Sequence, residues 1–76
     1  MITQDEIRVK LIEAIKQSGL TQVELAKKVG VCQQSVAQYI SGRAMPALDT
    51  FANLCVALDV DPAEILCIQN YRDGVK

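Results

Sequence analysis

An all-α fold of five short helices is predicted by three observations. Apolar residues recur at spacings of three and four, with no period-two alternation and no β-branched runs. Capping side chains followed three positions later by glutamate mark three helix starts. Glycines at 19, 30 and 42 mark three helix ends. Half of the 76 residues are hydrophobic, rich enough for one core in a chain near the lower size limit of an unstapled domain.

Helix one starts near residue 4, where Thr3-Gln4-Asp5-Glu6 offers a side chain to accept from a free amide of the first turn. Its glutamate is placed to reach back. Gly19 closes it. Thr21-Gln22-Val23-Glu24 repeats the signal and opens helix two, about 22–29, which ends at Gly30. Helix three begins about three residues later, with Cys32, Val36, Tyr39 and Ile40 on one side at about 100° per residue. Gln33, Gln34, Ala37, Gln38 and Ser41 fall on the other, and Gly42 ends the segment. Helix four is read from Leu48, Phe51, Leu54, Cys55 and Leu58. Asp61-Pro62-Ala63-Glu64 opens helix five, with Pro62 at the first helical position, where its missing N–H is harmless. The expected core is Leu11, Ile15, Leu20, Leu25, Ala26, Val29, Val36, Ile40, Leu48, Phe51, Leu54, Leu58, Val60 and Ile65. Loops this short leave no room for a flexible linker. One domain is expected over residues 1–69, with a fraying tail at 70–76.

Composition narrows the function. No apolar run reaches the length of about 18 residues that a membrane span needs, and the charged start MITQDEIRVK does not read as a signal peptide. Cys32, Cys55 and Cys67 match no disulfide framework or zinc spacing, and the chain contains no histidine. A reducing cytoplasm is the expected location. No metal, cofactor, membrane or small-molecule ligand is expected. Without a nucleophile–base pairing or a phosphate-cradling glycine loop, an enzyme is the least supported class. The net charge of −1 argues at first against a nucleic-acid partner, but its distribution is uneven. Residues 8–43 hold six basic and two acidic side chains, and the remainder holds two basic and seven acidic. The chain therefore has a mildly basic part and an acidic part.

Two short helices joined by a tight turn at Gly30 must cross steeply, which is helix-turn-helix geometry. Ala26 is small enough to let helix three pass close by, and Val36 plugs the crossing. The projecting helix then carries the amide face. In the DNA major groove a glutamine can donate to adenine N7 while accepting from the adenine N6 amino group, a two-way match that lysine and glutamate cannot make. Ala37 and Ser41 keep the helix thin, so that its backbone can approach base edges. The competing reading is a solvated face chosen for helix propensity.

The run GLTQVELAKKVGVCQQSVAQYISGRAMPALDTFANLCVALDVDPAEIL resembles the lambda-repressor-like, Cro/C1-type helix-turn-helix domain over roughly residues 8–66. The markers are Thr21-Gln22, Leu25-Ala26, Gly30-Val31, Val36, Gly42, Pro46, Leu54, Leu58 and Ile65-Leu66 in order. Gln33-Gln34-Ser35 and Gln38 are similar to the same helix in lambdoid phage repressors. The resemblance implies a compact five-helix domain that binds double-stranded DNA, usually as a homodimer on a palindromic operator. It implies base contacts from Gln33, Gln34 and Gln38. Backbone contacts are implied for Gln22, Ser35 and Arg43, and Lys27 and Lys28 are secondary backbone candidates.

Departures from the family pattern are informative. Many relatives pair a buried arginine in helix one with a glutamate near the end of helix three. Ile15 and Ile40 stand at those positions, a joint apolar swap that strands no charge, and the two are expected to touch. Cys32 replaces the usual serine or threonine cap of helix three, at a cost of about 1 kcal/mol. A thiol at a helix N-terminus invites a redox role beside DNA; the plainer expectation is a small residue half-buried against the preceding turn. Cys55 and Cys67 are expected on helical faces as core residues. With Arg43 alone in the loop after helix three, phosphate contacts are few, and dimerisation would compensate. Val56, Ile68 and Tyr71, then Ile12, are the candidate dimer residues.

Two functions therefore compete. One is a small transcriptional regulator, expected to be a repressor. The other is a protein-interaction module, such as an antitoxin or adaptor, that uses the same fold to bind a protein partner.

Overall fold

The computed structural model describes residues 1–68, and within them every regular element is helical: α1 Gln4–Gln17, α2 Gln22–Val29, α3 Gln33–Ser41, α4 Leu48–Leu58 and α5 Pro62–Ile65. Residues 70–76, expected to be a tail, lie outside the described residues, as does Tyr71.

Local chemistry sets the boundaries. All three predicted caps accept a backbone bond, but only one forms the full reciprocal box. Thr21 Oγ1 accepts from the Glu24 N–H at 3.1 Å, and the Glu24 carboxylate accepts from the Thr21 N–H at 2.9 Å. At Thr3 the hydroxyl accepts from the Glu6 N–H at 3.2 Å, while Glu6 turns to the Thr3 hydroxyl instead of its backbone. The Asp61 carboxylate accepts from the Ala63 N–H at 3.0 Å and the Asp61 carbonyl from the Glu64 N–H at 3.0 Å, while the Glu64 side chain makes no return bond. Gly30 and Gly42 close α2 and α3 in the left-handed conformation, both at φ 81°. There an L-residue with a Cβ would be strained.

The Thr21 backbone bond, then the Thr21 hydroxyl, hold the Glu24 carboxyl below the usual glutamate range, with a smaller contribution from Lys28. A carboxyl whose folded pKa is depressed stabilises the fold above its unfolded pKa. That contribution disappears as pH falls through the folded value. Glu24→Gln is therefore expected to be less stable than the parent at neutral pH, with the gap closing on acidification, as read by urea unfolding at a series of pH values.

The core is apolar, with no buried polar or charged residue among those described. Leu11, Leu25, Val36 and Leu54 are its largest fully enclosed side chains, joined by Ile15, Ala26, Tyr39, Phe51, Cys55 and Ile65. Burial pushes the Cys55 thiol up, and Asp61 nearby adds to the shift, so it packs as a neutral group. α2 packs against α3 and α4, and α1 packs against α3 and α5. Thus α3 is supported on two sides.

Several expectations need correction. Leu48 is not core: it is 87% exposed, because it opens α4 about one turn ahead of Phe51, the first buried residue of that helix. Leu20, Val29, Ile40, Leu58 and Val60 sit at the margin, half-buried. Tyr39 takes the interior position beside Ile40, and Ala63 is buried too. Cys67 does not ride a helical face; it lies past the end of α5 in left-handed backbone at φ 63°. Cys32 is exposed, not half-buried.

Candidate nucleic-acid interface

Between α2 and α3 the chain turns in three residues. The Ala26 carbonyl accepts from both Gly30, at 2.8 Å, and Val31, at 3.0 Å, which ends α2 tightly and redirects the backbone. Cys32 then enters α3 with extended backbone, φ −72° and ψ 148°, but its thiol makes no capping bond. Ala26 and Val36 are both buried, the small residue and the plug that a close α2–α3 crossing requires.

Burial divides α3 lengthwise. Val36 and Tyr39 face the core, Ile40 flanks them, and Gln33, Gln34, Gln38 and Ser41 are exposed. Ser35 and Ala37 are half-buried at the borders. Gln33 Nε2 donates to Gln22 Oε1 at 3.3 Å, so the first residue of α3 is braced by the first residue of α2. The Ser41 hydroxyl folds back to donate to the Gln38 carbonyl at 3.1 Å, which keeps the far end of the exposed face low.

The expected cations are less uniform. Arg43 is exposed directly after α3, and Lys27 is exposed in the last turn of α2. Lys28 borders a shallow groove with Asn53, Val56 and Ala57 of α4, on a different side of α2. The amide cluster and Arg43 thus share one element and its exit, while Lys28 stands apart. Sequence reasoning named Gln22 and Gln33 separately without pairing them. It passed over Arg8, which packs at the end of α3.

Because Cys32 makes no side-chain bond, the opening turn of α3 lacks the acceptor that a hydroxyl would supply. Cys32→Ser is expected to stabilise the protein by about 0.5–1 kcal/mol. An unchanged urea midpoint in that variant would show that solvent satisfies this turn equally well.

The family's sequence profile, described as helix-turn-helix, matches residues 11–65, most of the chain and all of the α2–α3 unit. The chain belongs to the helix-turn-helix family. This is the Cro/C1 type, a family of DNA-binding transcription regulators. A similar protein from Methanothermobacter thermautotrophicus is described as an uncharacterised HTH-type transcriptional regulator. The two are 36% identical over 70 residues, which cover 92% of this chain and 100% of the relative. No solved structure matches the chain. Among the described residues no helix is long and apolar enough to cross a membrane.

Proposed function

We propose that the protein is a sequence-specific transcriptional repressor that binds a palindromic operator as a homodimer, with α3 in the major groove. The observation that carries this reading is the exposed amide face of α3, fixed at its start by the Gln22–Gln33 bond. Gln33, Gln34 and Gln38 are assigned to base edges, with adenine as the favoured partner. An amide that meets N7 and the N6 amino group together discriminates by about 1–3 kcal/mol. Gln22, Ser35 and Arg43 are assigned to the phosphates that set register, and Lys27 ranks above Lys28 as a further backbone contact.

So few cations give each subunit a weak grip. Two or so charged contacts per subunit correspond to a salt slope of only about −4 for a dimer, at about 0.9 per phosphate neutralised. Specificity must then come from the bases and from pairing two half-sites about 34–36 Å apart. On α4, Leu48, Ala52 and Val56 follow one another at intervals of one turn, and Val56 is 81% exposed. Val56 is therefore the leading residue for contact between the two copies. Residues 1–69 form the binding unit in this reading, acting in the cytoplasm without catalysis.

Selection from random duplexes at two salt concentrations tests it. The expected outcome is enrichment of two-fold symmetric, adenine-bearing half-sites spaced by about 10–10.5 base pairs. Absence of any enriched duplex would transfer the fold to the class of protein-interaction modules.

A further inference from the structure

Arg8 lies on α1 two turns before Ile15, on the same side of the helix. α1 packs against α3, and Arg8 extends that contact to the end of α3. A Cβ built on Gly42 would stand 3.2 Å from Arg8 Cδ and 3.8 Å from its Nε. A side chain at position 42 would therefore press on the arginine stem, which would have to shift by a few tenths of an ångström. Gly42 is favoured here by its left-handed backbone, and the arginine stem lies close against it. The Arg8 Nε–H is buried with no hydrogen-bond partner, while Nη1 reaches outward to the Asp5 carboxylate. A guanidinium buried for its own hydrogen bonds would not leave Nε unmatched. The placement is instead that of a hydrocarbon stem laid on a surface, with its charged tip carried out to a partner.

We propose that Arg8 is a positioning residue for the recognition helix. Its stem, held by Asp5 and lying across Gly42, fixes the C-terminal end of α3 and the start of the loop bearing Arg43. It sets DNA affinity without touching DNA. The affinity part of this proposal rests on the DNA-reading function given above. The packing part stands on the free protein. Three amides report on the joint: Gly42 N–H donates to the Tyr39 carbonyl at 3.2 Å, and Arg43 and Ala44 N–H both donate to the Gln38 carbonyl, at 3.0 and 3.3 Å. A recognition surface works only when its supports hold it within about 0.5 Å of the productive geometry.

The test compares Arg8→Ala with Arg8→Met, which keeps a linear stem and removes the charge; both residues are strong helix formers. Arg8→Ala should speed hydrogen exchange at Gly42, Arg43 and Ala44 by about tenfold in the free protein. It should also weaken binding to the duplex selected by the wild-type protein by about three- to tenfold, with the salt slope unchanged. Arg8→Met should restore both properties most of the way. Two results would overturn the proposal. In one, both variants lower the salt slope by about 0.9 per subunit, the mark of a phosphate ligand. In the other, Arg8→Ala leaves the three exchange rates at wild-type values. If the wild-type protein selects no duplex at all, the DNA-reading function fails by itself, and the exchange comparison still decides the role of Arg8.

Discussion

Replacing Leu25 with alanine is expected to destabilise the protein by about 2–5 kcal/mol. Leu25 is 0% exposed on α2, the helix that packs against both α3 and α4. Truncation there removes apolar burial and leaves a void where three helices meet. A chain of this size has a total stability of roughly 4–11 kcal/mol, at about 0.05–0.15 kcal/mol per residue, so one such void consumes a large part of it. Leu48→Ala deletes the same atoms from a side chain that is 87% exposed, and is expected to change stability by less than about 0.5 kcal/mol. Urea unfolding followed by far-UV circular dichroism separates the two: the midpoint should fall steeply for Leu25→Ala and hardly move for Leu48→Ala. Equal effects would mean that α2 is not the central element of the core.

Gln34→Ala is expected to leave folding intact and relax sequence discrimination at one base position in each half-site. Gln34 is exposed on α3, so its truncation should alter stability by less than about 0.5 kcal/mol. Loss of a bidentate adenine contact costs about 1–3 kcal/mol per half-site, which a symmetric dimer experiences twice. Relaxation should be confined to one base position in each half-site. Gln33→Ala should behave differently, because Gln33 also donates to Gln22 at the start of α2. Its removal releases that bond along with any base contact, so affinity should fall across all sequences as well as at one position. Competition binding with duplexes altered one base pair at a time distinguishes a local loss from a general one. A Gln34→Ala protein that retained full discrimination would remove base readout from this residue.

What was legible in the sequence follows the range of the interactions involved. Helix starts at Thr3, Thr21 and Asp61 could be read because a cap and the amide it satisfies lie within three residues of each other. The ends at Gly30 and Gly42 were visible because left-handed backbone favours glycine. The end of α4 was hidden, since Asp59 adopts left-handed backbone at φ 56° while the Val60 N–H bonds to the Cys55 carbonyl. Nothing in an Asp-Val pair announces that. Leu48 was misplaced because it continues the apolar stripe of Phe51 and Leu54, whereas burial along α4 begins only at Phe51. Tyr39 and Ile40 are neighbours about 100° apart on a helix, and the packing of α3 against α1 and α2 leaves Tyr39 the more buried of the two. Ile40 is half-buried against the cluster that contains Ile15, so the apolar replacement of the family's ion pair is less enclosed than expected.

The residues of the proposed interface divide in the same way. Gln33, Gln34 and Gln38 could be picked out because an uncharged amide face is unusual on an exposed helix. The Gln22–Gln33 bond and the packing of Arg8 over Gly42 join positions far apart in the chain. Both depend on how α1, α2 and α3 are assembled, and periodicity within a single helix carries no trace of them.

The most direct measurement is binding to the selected duplex after its adenines are replaced, one at a time, by 7-deazaadenine. That base lacks the N7 acceptor in the major groove and leaves the minor groove unchanged. At the adenine facing Gln34, the wild-type protein should lose affinity by about 2- to 12-fold, the share of one of the two hydrogen bonds, and Gln34→Ala should lose nothing further. Undiminished wild-type affinity at every substituted adenine would contradict major-groove reading by α3.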